Sequence, residues 1–288
     1  MNKVKGTLIP VGGNEDKGLD LSESQTYSKD FISEGILWHI LNEAKGVDSK
    51  VVIIPTASGI PKEVARNYLD GFGTLGCTDL TVLDIQARDE ANDEFSCELI
   101  HAADCIMMSG GDQLKLSRIV SGTKVHEIMM DRYKNDKIVI AGTSAGAVAM
   151  SEEMVIGGSS KEALIKGAVL MDKGLAFIPE LIIDSHFIRR GRFGRLAEAV
   201  ARKTDLLGIG LAEDTGIIIK NGDHATVIGS GMVILFDPEK LTHNKNDELE
   251  EGTPMSMSNL IVHILSNGDE FSIKEREIHV LPLDKSFI

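Results

Sequence analysis

The strongest local signal in the sequence is the run Ile138-Val139-Ile140-Ala141-Gly142-Thr143-Ser144-Ala145-Gly146-Ala147-Val148-Ala149-Met150. Its first four residues are typical of a buried strand and its last four favour a helix, so G-x-S-x-G lies at a strand-to-helix turn. Small residues beside Ser144 let the backbone turn sharply and expose the hydroxyl, while the helix start leaves the Ala145 N–H free for an oxyanion. We interpret Ser144 as a nucleophile; the alternative is a glycine-rich turn with a bystander serine.

The same alternation of strand and helix extends on both sides of this turn. Apolar runs that predict strands occur at residues 7–11, 51–55, 80–83 and 105–108. Amphipathic runs that predict helices occur around residues 31–44, 62–75, 94–103 and 124–133. Strands that are apolar on both faces and separated by helices predict an α/β three-layer sandwich, with a mostly parallel central sheet flanked by helices.

The pattern changes after about residue 205. Short β-branched runs at 216–220, 224–228 and 232–236 are separated by Asn221-Gly222-Asp223 and Gly229-Ser230-Gly231, which are hairpin signals. Residues 239–259 predict a surface loop, and residues 260–283 one or two more strands. With no repeat and no Pro-rich linker, we expect one domain over residues 1–288, with residues 205–288 as its β-rich C-terminal hairpin extension.

Composition limits the classes of partner. The chain of 288 residues has 44 acidic and 30 basic side chains, a formal net charge of −14, which argues against a nucleic-acid partner. The three cysteines form no CxxC pair, so neither a disulfide framework nor a metal site is indicated. No run is long and apolar enough for a membrane span, and no secretory signal is recognisable, so we expect a cytoplasmic protein. No glycine pattern predicts a nucleotide cofactor.

A serine nucleophile needs a base and an orienting acid, and two strand ends offer them. His186 follows the apolar run at residues 181–183, and Glu213 and Asp214 follow the run at residues 206–212. Either carboxylate could hold the imidazole tautomer and stabilise imidazolium. The chain order Ser, His, acid differs from the Ser, acid, His order of α/β-hydrolases and argues against that superfamily.

Two glycine pairs at strand ends complete the predicted rim of the site. They are Gly12-Gly13, before Asn14-Glu15-Asp16, and Gly110-Gly111, before Asp112-Gln113. Glycine permits close backbone approach, so Gly111 is a candidate second oxyanion donor and Gln113 a candidate contact for a substrate amide or carboxylate. The alternative is that both pairs are only tight strand-to-helix turns.

Four arginines follow the candidate base, in the run Arg189-Arg190-Gly191-Arg192-Phe193-Gly194-Arg195. Guanidinium groups suit bidentate recognition of carboxylates, so this run predicts a substrate-binding element beside His186. The alternative is a solvated basic helix start.

Together these motifs resemble those of cyanophycinases, which are serine peptidases of the same family as aspartyl dipeptidase. The resemblance rests on GGNEDKG (12–18), PTASGIPKE (55–63), SGGDQLKL (109–116), GTSAGAVAMS (142–151), DSHFIRRGRFGRL (184–196) and GIGLAEDTG (208–216). It implies a class I glutamine-amidotransferase-like fold with Ser in place of Cys. It also implies a homodimer.

The resemblance assigns roles residue by residue. It implies Ser144 as nucleophile, His186 as base and Glu213 as acid. The implied substrate contacts are Gln113, Asp184, Ser185, Arg190, Arg192 and Arg195. The chain departs from the family pattern at Ser185, where Gln is usual, and at Ala212, where Asp is usual.

The substrate implied is cyanophycin, a polyaspartate with arginine on each side-chain carboxyl, cleaved to β-Asp-Arg dipeptides. A site with the arginine run on one side and acidic groups such as Glu15 or Asp16 on another would suit it. Two alternatives stay open: a peptidase of short Asp-containing or isoaspartyl peptides, and a catalytically silent amidotransferase-like binding protein.

Overall fold

A computed structural model describes residues 3–17, 34–158 and 163–288 of the chain. Most of its architecture is built from strands. They are β1 (Thr7–Val11), β2 (Val51–Ile54), β3 (Leu80–Val82), β4 (Cys105–Met108), β5 (Val139–Thr143), β6 (Glu153–Gly157), β7 (Leu170–Lys173), β8 (Leu181–Asp184), β9 (Leu207–Leu211), β10 (Thr215–Lys220), β11 (His224–Gly229), β12 (Val233–Asp237), β13 (Ile261–Leu265), β14 (Glu270–Ser272) and β15 (Ile278–His279).

Helices connect the strands of the first half of the chain. They are α1 (Ile36–Glu43), α2 (Pro61–Thr74), α3 (Glu94–Ala102), α4 (Gln113–Val120), α5 (Lys124–Asn135), α6 (Ala145–Val148) and α7 (Phe193–Arg202). The sequence patterns predicted α1, α2, α3 and α5 but not α4 or α7. Residues 31–33 of the first predicted helix, and Gly18 of the first quoted motif, lie outside the described residues.

The central sheet has nine strands in the order β15-β14-β11-β10-β1-β5-β4-β2-β3. Strands β1 to β5 pair in parallel, and β10, β11, β14 and β15 extend the sheet in antiparallel fashion from β1. The predicted α/β class, with a parallel core covered by helices, is confirmed. Of the strands in the β-rich end of the chain, β10, β11, β14 and β15 belong to this sheet.

Strict alternation of side chains along the parallel strands produces the layers. Ile106 of β4 faces a buried cluster that includes residues from α3, α4 and α5. Its neighbour Met107 faces the opposite cluster, which is built from α1 and α2. Because both faces of each parallel strand are covered, the strand sequences are apolar throughout.

A second sheet, in the order β13-β12-β9-β8, packs against the central sheet. Ile183 and Ile209 point into the cluster shared with the central sheet, whereas Ile182 and Phe236 pack with α7 on the other face. The predicted hairpin at Gly229-Ser230-Gly231 is therefore wrong. This segment crosses between the sheets, since β11 lies in the central sheet and β12 in the second. It is held by hydrogen bonds from Ser230 N–H to Asp214 O and from Gly231 N–H to Thr215 Oγ1.

The other predicted hairpin is confirmed. Strands β10 and β11 pair from Thr215–Gly229 to Lys220–His224 across a turn in which Asn221 and Gly222 have φ of 61° and 67°. Asn and Gly are the residues that tolerate such left-handed backbone. Within the described ranges, none of the helices is long and apolar enough to cross a membrane.

Candidate active site

Ser144 lies between β5 and α6, in a strained turn. Its φ of 49° and ψ of −107° lie outside the regions that a residue with a Cβ prefers. The turn is held because Ser144 N–H donates to Val11 O on the neighbouring strand, at 2.9 Å. A Cβ at Gly142 or Gly146 would lie within 2.7 Å of backbone atoms, so the small residues around the nucleophile are required by space.

His186 follows β8, and its imidazole reaches the serine. Its Nε2 lies 2.9 Å from Ser144 Oγ, and its backbone N–H donates to Gly12 O at 2.8 Å. Gly13 lies against the ring: a Cβ there would be 2.5 Å from Cε1 and 2.6 Å from Nε2 of His186. The first glycine pair therefore makes room for the base.

Glu213 follows β9 and completes the line of side chains. Its Oε1 is 2.7 Å from His186 Nδ1, and its Oε2 accepts a hydrogen bond of 2.9 Å from Arg189 Nη1. Asn14 lies close enough to this carboxylate to lower its pKa. Asp214, the other acid left open by the sequence, instead accepts from Asp16 N–H and Ser230 Oγ. The geometry thus brings Glu213, and not Asp214, to the imidazole.

The surroundings of His186 and Glu213 lower the pKa of both side chains. Burial lowers the pKa of His186, opposed by the hydrogen bond to Glu213 and assisted by the positive charges of Arg190 and Arg192. Burial would raise the pKa of Glu213, but the hydrogen bonds from Arg189 and His186, together with the nearby Asn14 side chain, outweigh burial and lower that pKa. At neutral pH the imidazole is therefore neutral and the carboxylate ionised. This is the pairing that a serine nucleophile needs.

One candidate oxyanion donor, Ala145, directly follows the serine, and the other, Gly111, adjoins a glycine that passes beside it. Ala145 is the first residue of α6, where backbone N–H groups lack intrahelical partners. A Cβ at Gly110 would lie 3.3 Å from Ser144 Cβ, so the second glycine pair passes beside the nucleophile. Gly111 has φ of 143°, and a Cβ there would lie 2.1 Å from Ala57 O. Only glycine fits at position 111, and the role of its backbone N–H as an oxyanion donor stays a prediction.

The arginines divide into two groups. Arg195, which is buried, donates from Nε and Nη2 to both carboxylate oxygens of Asp184, and Arg192 donates to Asp184 Oδ1 and to Ser185 O. Arg189 and Arg190 are exposed. Helix α7 begins at Phe193, so the run precedes and enters a helix without being a wholly solvated helix start. Arg192 and Arg195 are engaged with Asp184 before any substrate binds.

The remaining predicted contacts have partners within the protein. Ser185 is buried with its Oγ 3.5 Å from Ser144 Oγ. Gln113, at the start of α4, donates from its side-chain nitrogen to Val155 O.

Glu15 does not face a substrate pocket, contrary to the sequence interpretation. It is 4% exposed and hydrogen-bonded to Thr143 and Tyr68.

Sequence reasoning missed the roles of Arg189 and Asn14, which hold Glu213. A signal was present: Asn14 directly follows the first glycine pair, and Arg189 is the first of the arginines after the base. Across the three described ranges, no group of three or more His, Cys, Asp or Glu side chains is placed to hold a metal ion.

Comparison with known proteins agrees with this arrangement. The model of peptidase family S51 matches residues 21–228. A cyanophycinase of Geminocystis herdmanii is 33% identical over 95% of this chain and 96% of its own length. A cyanophycinase of Trichormus variabilis is 35% identical over 96% of this chain and 88% of its own length.

A solved structure shares the fold. A peptidase from an acI-B1 Actinobacterium superposes with a TM-score of 0.59 at 19% identity, covering 92% of this chain and 98% of its own. The family match over most of the length, together with the two cyanophycinases, shows that this chain belongs to peptidase family S51.

Proposed function

We propose that this chain is a serine exopeptidase that hydrolyses cyanophycin to β-Asp-Arg dipeptides. The observation that carries the chemistry is the continuous hydrogen-bonded line from Ser144 Oγ through the His186 imidazole to Glu213. The support for the substrate is the similarity to cyanophycinases over almost the whole chain. A binding protein without activity would not need this alignment of three polar side chains.

In the first half of the reaction, Ser144 Oγ attacks a backbone aspartyl carbonyl while His186 Nε2 takes the hydroxyl proton. The C=O π electrons move to oxygen, and the resulting oxyanion is stabilised by the N–H groups of Ala145 and Gly111. Glu213 stabilises the imidazolium without taking its proton. Collapse then breaks the C–N bond, and His186 delivers the proton to the leaving amine.

In the second half, water attacks the acyl-enzyme on Ser144. His186 accepts a proton from this water and returns one to Ser144 Oγ as the acid is released. Every proton in this cycle passes through His186, so the depressed pKa of this side chain keeps it ready to act as a base near neutral pH.

Substrate contacts follow the division of the arginines. Arg190 is exposed near His186 and is proposed as a direct contact for a substrate carboxylate. Arg192 and Arg195 are proposed to act with Asp184 as a unit, in which the guanidinium atoms not bonded to Asp184 face substrate. Gln113 and Ser185 complete the proposed contacts. A homodimer and a cytoplasmic location stay predictions.

The test follows release of β-Asp-Arg from cyanophycin by the wild-type chain and by Ser144→Ala. The variant should fold, because alanine differs only by the hydroxyl, and should release no dipeptide. Short isoaspartyl peptides serve as the second substrate. Cleavage of these alone would replace the polymer with the peptide alternative. Near wild-type hydrolysis by Ser144→Ala would exclude the serine mechanism, and an inactive wild-type chain would favour the silent binding protein.

A further inference from the structure

Beneath the nucleophile turn lies a buried carboxylate that the mechanism above does not use. Glu15 Oε2 accepts a hydrogen bond of 2.6 Å from the hydroxyl of Thr143, the residue directly before Ser144. Glu15 Oε1 accepts from the hydroxyl of Tyr68 on α2 and forms an ion pair of 3.0 Å with Lys17. Both carboxylate oxygens are therefore occupied by donors from three different segments.

The loop that carries Glu15 also touches each member of the proposed triad. Val11 O, just before the loop, accepts from Ser144 N–H, and Gly12 O accepts from His186 N–H. Asn14 lies close enough to Glu213 to lower the pKa of its carboxyl group. The segment from Val11 to Asn14 is thus in contact with all three residues of the proposed triad.

We propose that Glu15 is a positioning residue that locks this loop to the nucleophile turn through Thr143, so that Ser144, His186 and Glu213 are held in register. The inference rests on the triad in the proposed function. Glu15 itself touches neither the proposed reacting atoms nor the solvent. Its effect is carried by Thr143 on one side and by Asn14 and Gly12 on the other.

The physical reason is the geometry of acceptors and donors. An ionised carboxylate accepts from Thr143, Tyr68 and Lys17 at once. These three interactions offset most of the free-energy cost of removing the charged group from water. A carboxamide at this position has one acceptor oxygen and an NH₂ that would face a donor. The turn would then shift, and displacement of about 1 Å at a nucleophile costs on the order of 100-fold in rate.

The experiment compares Glu15→Gln, Thr143→Val, Thr143→Ser and the double variant Glu15→Gln/Thr143→Val. We expect kcat on a chromogenic aspartyl peptide or on cyanophycin to fall on the order of tenfold or more in each of the first two, with KM changed less than about threefold. The double variant should lose no more than the worse single variant, because both break one interaction. Thr143→Ser should recover most of the kcat that Thr143→Val loses.

The matched control is Asp269→Asn, which alters a buried carboxylate in the β-rich part of the chain that accepts from Ser266 and Leu281. It should lower thermal stability while leaving kcat near wild type. Unchanged kcat in Glu15→Gln, additive losses in the double variant, or equal kcat in Thr143→Val and Thr143→Ser would each overturn the inference. If Glu15→Gln does not fold, the Thr143 pair decides. Activity in Ser144→Ala would instead overturn the triad.

Discussion

At the scale of single residues, the site is built from unusual backbone. Ser144, His186, Asn14 and Asp214 all have φ of 48° or 49°, and each such residue with a side chain costs on the order of 1–3 kcal/mol. These costs are tolerated because the surrounding strands fix the turns, as when Val11 O and Gly12 O hold the N–H groups of Ser144 and His186. The strain places two reacting side chains at the start of their turns, facing one another.

The glycine at position 13 should be indispensable. Gly13→Ala would place a Cβ 2.5 Å from the His186 ring at a φ of 103°, which disfavours any Cβ. The imidazole must then leave Ser144, and we expect kcat/KM to fall on the order of 100-fold or more. Steady-state hydrolysis of an aspartyl peptide measures this.

The control for this variant is Gly59→Ala, since Gly59 has no heavy atom within 4 Å of a built Cβ. It should retain both activity and stability. Equal kcat/KM in Gly13→Ala and the wild type would show that the imidazole has room to move, and would argue against the close packing described here.

The dependence of kcat/KM on pH should report His186. The neutral imidazole is the active form, so activity rises with pH through its pKa, and because burial lowers that pKa the acid limb lies below the ordinary value of 6.5. The positive charge of Arg190 also lowers this pKa, so Arg190→Gln should move the limb to higher pH. Arg66→Gln, which changes an exposed arginine on α2, should leave it in place. A limb that moves to lower pH in Arg190→Gln would contradict this.

The sequence alone predicted Ser144, His186 and a neighbouring acid, because each follows an apolar run and strand ends are where an α/β sheet places chemistry. The strand-end pattern could not separate Glu213 from Asp214, since the choice depends on which way each side chain leaves a turn, and only the family resemblance pointed to Glu213. The sequence also offered Glu15 or Asp16 as an acidic group on the substrate side of the site. A carboxylate after a glycine pair looks exposed, and burial beneath Tyr68 depends on how α2 packs.

At the scale of elements, the junction between β8 and α7 shows why the arginine run is not uniform. Asp184 ends β8 with no exposed surface, and Arg195 in the first turn of α7 turns back to it with both Nε and Nη2. Helical spacing places Arg192 one turn earlier on the same side. Arg190 lies before the helix and is exposed. The arginines of this run therefore fall into a pair bound to Asp184, Arg192 and Arg195, and residues that are exposed, such as Arg190.

Loss of the carboxylate at this junction should destabilise the fold. Asp184→Asn leaves the buried guanidinium of Arg195 without its counter-charge, and breaking such a buried pair costs about 3–5 kcal/mol. Chemical denaturation should show this loss. Arg190→Gln should leave the free energy of unfolding within about 0.5 kcal/mol of wild type, because exposed charges contribute little. Wild-type stability in Asp184→Asn would show that the pair is not structural.

At the scale of the whole molecule, the triad spans two sheets. Ser144 follows β5 of the central sheet, whereas His186 and Glu213 follow β8 and β9 of the second sheet. The sequence analysis placed all three residues at strand ends but did not assign those strands to two sheets, because strand pairing between distant segments leaves no local sequence pattern. The apolar interface between the sheets, and the loop from Gly12 to Glu15, must therefore set the distance between nucleophile and base.

Two neighbouring residues of β8 test this dependence on the interface. Ile183 points into the cluster shared with the central sheet and Ile182 into the cluster with α7, and both are fully buried. Replacing either with alanine should cost about 2–5 kcal/mol of unfolding free energy.

The two variants should nevertheless differ in activity. A cavity at Ile183 loosens the contact between the sheet that carries Ser144 and the strand that leads to His186, so kcat should fall on the order of tenfold. A cavity at Ile182 lies on the far face of β8 and leaves that contact intact, so kcat should change less than about twofold. Both are compared by denaturation and by peptide hydrolysis. Equal losses of kcat at equal losses of stability would mean that the loop from Gly12 to Glu15, rather than the packing of the sheets, maintains the distance between the two side chains.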